Sequence, residues 1–326
     1  MQPLVFARRA LAAACGALAL ASPGAQAQAW PDKQIRVIVP YGPGGGVDTF
    51  ARPIVARLTE QLGQPVVVVN RPGAGGTIGV RVAAQSPADG YTLLAGGVHQ
   101  PMAEPLYPKR EYDFGRDFVP LAVTAVVPNI LIVHPKVPFQ GAKEVIDFAT
   151  ANPGKLTYCS SGSGTAPHII AELFKLSTNT KIVHVPHSGT AAAYVTFLGG
   201  NCDMMFDGLG TAAPQINGNR VRPLALTSKD RTPFFANVPT MAQAGGPEMD
   251  AGTWYGLWAP AATPPEVVAR LHREIMAALA SAPVRETWKT QAAVVPQIRL
   301  EELGPFVRDE IAKWGAVIRK AGIVAE

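Results

Sequence analysis

Residues 35–62 set three kinds of sequence end to end, and few folds accept that order. Ile35-Arg36-Val37-Ile38-Val39-Pro40 is short, apolar and β-branched, as a buried strand requires. Tyr41-Gly42-Pro43-Gly44-Gly45-Gly46-Val47-Asp48 follows, and Thr49 to Leu62 then carries Phe50, Ile54, Val55, Leu58 and Leu62 at helical spacing. Strand, glycine turn and helix in succession open an α/β unit. Three consecutive glycines let backbone N–H groups face a common point without obstruction by side chains. The helix N-terminus adds partial positive charge there. The tract reads either as a seat for a carboxylate or phosphate without any lysine, or as a tight turn capped by Asp48.

The first residues bear on destination. Arg8 and Arg9, an apolar stretch from Ala10 to Leu20 and Ala25-Gln26-Ala27 have the form of a secretory signal peptide, with cleavage expected after Ala27. The apolar stretch is too short to span a bilayer. Cys15 lies within it, which argues against a lipoprotein. Export to a bacterial periplasm is the expectation. Loss of Arg8 and Arg9 lowers the formal net charge from +5 to +3. A charge that mild, without runs of one sign, implies neither nucleic acid nor a membrane surface as partner. A mature chain of roughly 300 residues can bury a large core and favours two domains. Cys159 and Cys202 read as two small buried residues near strands, with pairing in an oxidising compartment left open.

Strand-like and helix-like segments alternate along the remainder. Strands are expected at 65–69, 91–95, 121–127, 130–133, 155–159, 181–185, 203–206 and 221–226, with a break at Pro128-Asn129. Helices are expected at 77–85, 142–151, 165–176 and 190–198, and the last third reads as mostly helical, at 264–280, 282–291 and 300–321. This is an α/β protein with mainly parallel sheets. Ser160-Ser161-Gly162-Ser163-Gly164 again follows a strand and opens a helix, so it is a second anion-receptive turn, with Ser161, Ser163 and Thr165 adding hydroxyls. In open α/β sheets ligands sit beyond the carboxyl ends of the strands. Two such ends in different halves of the chain can face each other across a cleft that closes by a hinge. Two ordinary β–α turns are the plainer reading.

The ordered set of motifs resembles the Bug, or TctC-like, periplasmic solute-binding receptors of tripartite tricarboxylate transporters. The likeness runs through Pro43-Gly44-Gly45-Gly46 with Asp48, Asn70-Arg71-Pro72-Gly73-Ala74-Gly75-Gly76 and Ala88-Asp89-Gly90-Tyr91-Thr92-Leu93-Leu94. It continues through Asn152-Pro153-Gly154, Ser160 to Thr165, Val183-His184-Val185-Pro186, Met205-Phe206-Asp207, Asn237-Val238-Pro239-Thr240 and Trp254-Tyr255-Gly256-Leu257. The resemblance implies a type II periplasmic binding fold, two α/β lobes joined by crossing hinge strands. Lobe I would comprise 28–125 with 228–326, and lobe II 126–227. It implies a small carboxylate ligand, di- or tricarboxylate or aromatic, held by backbone groups, hydroxyls and waters. Lobe closure would deliver that ligand to the transporter's membrane subunits, with the receptor acting as a monomer.

By position, Tyr41, Gly44, Gly45, Gly46 and Asp48 would line one wall, and Ser161, Gly162, Ser163 and Thr165 the other, with Asp207 nearby. Asp48 and Asp207 are expected to orient loops and waters, since like charges repel at short range. Gly97 and His99 follow the strand at 91–95, where the family's Asn-Pro pair is replaced by Gln100-Pro101. His187-Ser188 stands where many members carry Tyr and then Lys or Arg. Both histidines read either as N–H donors to a distal carboxylate or as loop residues bonded to backbone. Trp254 would give an aromatic flank, or else sit in the core.

Enzymatic readings fare worse. The glycine tract lacks the Gly-Lys-Ser/Thr ending of a P-loop, 73–79 misses the dinucleotide spacing by one residue, and Ser163 lacks the nucleophile-elbow spacing. His184-Val185-Pro186-His187 does not share a helical face, so no metal or cofactor is expected. The chain reads as a non-enzyme. A subunit that senses ligand for a membrane kinase is the alternative, and a secreted hydrolase the weaker one.

Overall fold

The computed structural model describes residues 30–324. Each half is built around parallel strands flanked by helices, because runs such as Val66-Val67-Val68-Val69 are apolar and β-branched. In the first sheet β1 (Ile35–Val39) lies between β2 (Val66–Asn70) and β3 (Thr92–Gly97), parallel to both. Strand β4 (Phe118–Val133) and β9 (Gly252–Pro260) complete it, β9 pairing antiparallel with β3 on one side and β4 on the other. In the second sheet β5 (Thr157–Ser160) lies parallel to β6 (Val183–Pro186) and β7 (Met204–Gly208). The far half of β4 then pairs antiparallel with β7 and with β8 (Arg222–Leu226).

Two expectations need correction. Pro128-Asn129 does not break the chain into two strands: β4 runs unbroken for 16 residues. Pro128 is the last residue of β4 paired with β9, and Asn129 is the first paired with β7, so the missing proline N–H falls where the ladder changes partner. The last third carries its three expected helices but also the nine-residue β9, which the sequence reading lacks. The sheets are accordingly mixed, with antiparallel strands at the junction and parallel strands outside it.

The helices are α1 (Gly46–Leu62), α2 (Thr77–Ala84), α3 (His99–Leu106), α4 (Phe114–Asp117), α5 (Ala142–Ala151) and α6 (Ala166–Thr178). They continue as α7 (Thr190–Leu198), α8 (Leu209–Asn217), α9 (Pro265–Ala280), α10 (Ala282–Thr290) and α11 (Leu300–Ala321). Helix α1 buries Phe50, Ile54, Val55, Leu58 and Leu62, the residues whose spacing marked it as amphipathic. At the junction Asn129, Thr227 and Thr253 are buried. Asn129 Nδ2 donates to Thr253 Oγ1 (2.8 Å), and Thr227 Oγ1 donates to the Ala251 carbonyl (2.6 Å). Such a cluster holds its strands in register because each unmade bond would leave a buried polar group unsatisfied.

Cys159 and Cys202 are joined in a disulfide, with Cα atoms 5.9 Å apart. Both are buried, as the sequence suggests, and the pairing that it leaves open is made. The bridge ties the end of β5, where the serine turn begins, to the residues entering β7. The leader at 1–27 and its cleavage point lie outside the described residues. Among the described residues no helix is long and apolar enough to cross a membrane.

Candidate functional site

The turns that leave the carboxyl ends of β1, β2, β3, β5 and β6 gather at one place. A small cavity of about 20 Å³, enough for one water, is enclosed by Tyr41, Gly45, Gly46, Val47, His99, Ser161, Thr165, Gly189 and Thr190. It adjoins a cleft of about 520 Å³ through the shared Tyr41, Ser161 and Thr165. The cleft is further walled by Pro72 to Gly76, Tyr107, Gly162, Ser163 and Pro186 to Ser188. Its size falls within the range of small-molecule sites.

Helix α1 opens onto the small cavity. Its N-cap is Gly45, not Asp48, and no side chain caps it. The first-turn N–H groups of Gly46, Val47 and Asp48 therefore have no intrahelical partner, the first helical bond being Thr49 N–H to the Gly45 carbonyl. Asp48 instead holds the turn from behind. Its carboxylate accepts from Gly44 N–H (3.0 Å), Asn70 Nδ2 (2.9 Å) and both Arg52 Nε (2.7 Å) and Nη2 (2.8 Å). Burial opposes its ionisation, yet these donors hold the Asp48 carboxyl below the usual carboxylate range. Gly46 must be glycine, because a Cβ there would lie 2.1 Å from Tyr255 Oη. Gly45 is under no such constraint: its Cβ would meet Thr190 Oγ1 at 3.4 Å, and its φ of −77° suits any residue.

The serine turn differs from the glycine turn. Three of its amides are bonded within the protein: Gly162 N–H to Ser160 Oγ (3.1 Å), Gly164 N–H to His168 Nδ1 (3.1 Å), Thr165 N–H to the Gly162 carbonyl (3.2 Å). Ala166 N–H donates across to His99 Nδ1 (3.0 Å). Two imidazoles, buried His168 and half-buried His184, stack at 4.5 Å behind the turn, and His184 Nε2 lies 2.7 Å from Ser160 Oγ. The first-turn amides of α1 thus lie opposite a serine turn whose amides at 162, 164 and 165 are filled.

His99 joins the two sides. Because its Nδ1 accepts, the neutral ring carries its proton on Nε2, and burial pushes its pKa down to about 4. Tyr107 makes a second link: its ring lies against Gly75 and Gly164, and its Oη donates to the Ser163 carbonyl (2.9 Å). His187 lines the cleft, but its Nε2 lies 2.8 Å from Thr196 Oγ1 and its Nδ1 is buried with no partner among the described residues.

The remaining expected residues lie off the lining. Asp207 is buried beneath it, accepting from Tyr194 Oη (2.9 Å) and Thr211 Oγ1; burial raises its pKa to about 6 against the pull of those bonds. Gly97 is pressed against β9, where a Cβ would lie 2.0 Å from the Trp254 carbonyl oxygen. Gly44 is exposed and bonded to Asp48. Trp254 does not flank the site: its indole packs on Trp258 and Phe306 and donates to Glu310 (2.7 Å) on α11. Alternation along β9 sends Trp254 and Tyr255 to opposite faces, and Tyr255 is the one beneath Gly46. Sequence reasoning missed Val47, Thr190, Tyr107 and the wall formed by Pro72 to Gly76; of these only the glycine run at 73–76 carried a signal. Among the described residues no group of His, Cys, Asp or Glu is placed to hold a metal ion.

Two α/β lobes sharing crossing strands, with a cleft at the carboxyl ends and a helix N-terminus open to it, define a type II periplasmic solute-binding receptor. Residues 50–323 match the model of the tripartite tricarboxylate transporter family receptor, TctC. Protein BugT of Bordetella pertussis is 37% identical over 298 residues, 91% of each chain. Among solved structures, R. palustris Rpa4515 with adipate superposes with a TM-score of 0.87 at 34% identity, over 91% of this chain and all of that one. MatC (Rpa3494) from Rhodopseudomonas palustris, with bound malate, gives 0.84 at 31% identity, over 89% of this chain and all of that one. The chain belongs to the TctC receptor family.

Proposed function

We propose that this protein is a periplasmic receptor that captures a small carboxylate by lobe closure and presents it to the membrane subunits of a tripartite tricarboxylate transporter. One observation carries the reading. The open N–H groups of Gly46, Val47 and Asp48 point the positive end of α1 into a cavity completed by Ser161 and Thr165 from the opposite lobe. A carboxylate there would touch both lobes, and contact with both favours the closed form over the open. His99 Nε2–H and Thr190 stand on the same lining as further donors. Lobe I would take 28–125 with 228–326 and lobe II 126–227, with the crossing in β4 and the return near Thr227. Adipate and malate in the two solved relatives support the ligand class.

The test is Gly45→Ala combined with a panel of carboxylates. The added methyl fits the backbone and meets Thr190 at ordinary contact distance, yet fills a cavity of about 20 Å³. Stability should change by no more than about 0.5 kcal/mol. A ligand at about 100 times its dissociation constant should stabilise the parent by roughly 2.7 kcal/mol, and the variant by far less. An undiminished response in the variant would remove α1 from the site.

A further inference from the structure

We infer that His99 latches the two sides of the cleft together, its ring capping helix α6 when they meet, and that capture of a ligand requires this ring to be uncharged. The inference rests on the reading of ligand-driven closure above and adds a proton to it. Helix α6 begins at Ala166, and its N-cap Thr165 makes no side-chain cap bond. Ala166 N–H, which has no partner within its own helix, is taken instead by His99 Nδ1 (3.0 Å), 67 residues away at the start of α3. In the lobe assignment above these two residues belong to opposite sides of the cleft, and both are buried.

That bond has one chemical requirement. Nδ1 accepts only through a lone pair, which a protonated imidazole lacks, since both its nitrogens then carry N–H. A cation there would set donor against donor and place positive charge at the positive end of α6. The groups around the ring do not offset this. Tyr41 and Tyr255 face it with ring centroids at 5.2 and 6.4 Å, and burial keeps both phenols protonated. Asp207, which acts on Tyr255, is bonded to Tyr194 and Thr211, and His168 on α6 accepts from Gly164 N–H. On α3, α1 and α11 the acids Glu104, Asp48 and Glu310 are engaged by Arg110, Arg52 and Trp254. Burial accordingly lowers the His99 pKa to about 4. With the two sides apart, Nδ1 and Ala166 N–H both meet water, and the ring returns towards its ordinary value of 6.5. Closure therefore expels the proton, and acid opposes closure. Tyr107 Oη also reaches across, to the Ser163 carbonyl, but as a phenol whose pKa burial raises it donates whatever the acidity in this range.

The experiment is isothermal calorimetry with adipate and with malate at pH 7 and pH 5, on the parent protein and on His99→Asn and His99→Gln. Each variant keeps an amide oxygen to accept from Ala166 N–H, and the titrations of the probe and of Asp207 are common to all three proteins. From pH 7 to pH 5 the parent should lose affinity by on the order of tenfold more than either variant. The parent alone gives a second reading: at pH 6 capture should release about half a proton or more, seen as a difference in heat between MES and Bis-Tris buffers. An equal loss of affinity in parent and variants, or no proton release by the parent, overturns the latch and leaves the carboxylate reading standing. Silence of the parent with both probes at pH 7 overturns the carboxylate reading itself, and this inference with it.

Discussion

Two buried groups on either side of the site titrate in opposite senses, and one substitution separates their effects. His99 has its pKa lowered from 6.5 to about 4, so the unfolded chain takes the proton more readily. Its contribution is complete above pH 6.5 and is lost as the pH falls towards 4. Asp207 has its pKa raised from 3.8 to about 6, so the folded chain takes the proton more readily, and acidification between 6 and 3.8 favours folding. From pH 7 to pH 5 His99 therefore loses stability and Asp207 gains it, each on the order of 1–2 kcal/mol. His99→Gln keeps an acceptor for Ala166 N–H and removes the titration, so its stability relative to the parent should rise as the pH falls from 7 to 5, by on the order of 1–2 kcal/mol. Asp207→Asn should show the opposite change. Urea unfolding of the three proteins at pH 7 and pH 5 gives the differences directly, with the exposed carboxylates common to all cancelling out. Parallel pH dependences for His99→Gln and the parent would refute the argument that this ring is buried neutral.

Gly46→Ala should cost about 1–3 kcal/mol by driving a methyl into Tyr255, with partial recovery when Tyr255→Phe is added; an unshifted melting temperature would contradict the packing described. Reducing the Cys159–Cys202 bridge, whose partners are 43 residues apart, should lower stability by roughly 4 kcal/mol through loop-closure entropy. An unchanged denaturation midpoint under reductant would mean that the tie does not restrict the unfolded chain. Tyr107→Phe removes only the bond to the Ser163 carbonyl and should cost about 1 kcal/mol in chemical denaturation; no loss would mean that the hydroxyl stabilises nothing.

Most strands and the longer helices are legible in the sequence because apolar spacing and turn residues agree there. Helices α5, α7 and α11 have the limits that periodicity gives them. Helix α3 is hidden by Pro101 and Pro105, which depress helical propensity although the segment is buried from His99 to Ala103. Strand β9 is hidden for another reason: Gly252-Thr253-Trp254-Tyr255-Gly256 has no polar alternation, because both its faces are covered. The glycine tract and serine turn announce themselves as openings of helices. What distinguishes them does not, since the filling of the serine turn's amides depends on His99 and His168, brought there by packing. Tyr107 and Thr190 belong to the site only through topology, and the disulfide only through the adjacency of β5 and β7.

An unbroken β4 also constrains how one lobe can swing upon the other. A flexible linker would let the halves wander independently, but a ribbon paired along most of its length has no slack to release. In the proposed closure, rotation has to be absorbed at the return near Thr227 and as bending and torsion within 118–133, where register shifts beside Pro120, Val123 and Leu131 supply local give. The motion should therefore resemble a leaf spring more than a door on a pin, with a narrow range of travel and a return path defined by the same hydrogen-bonded ladder.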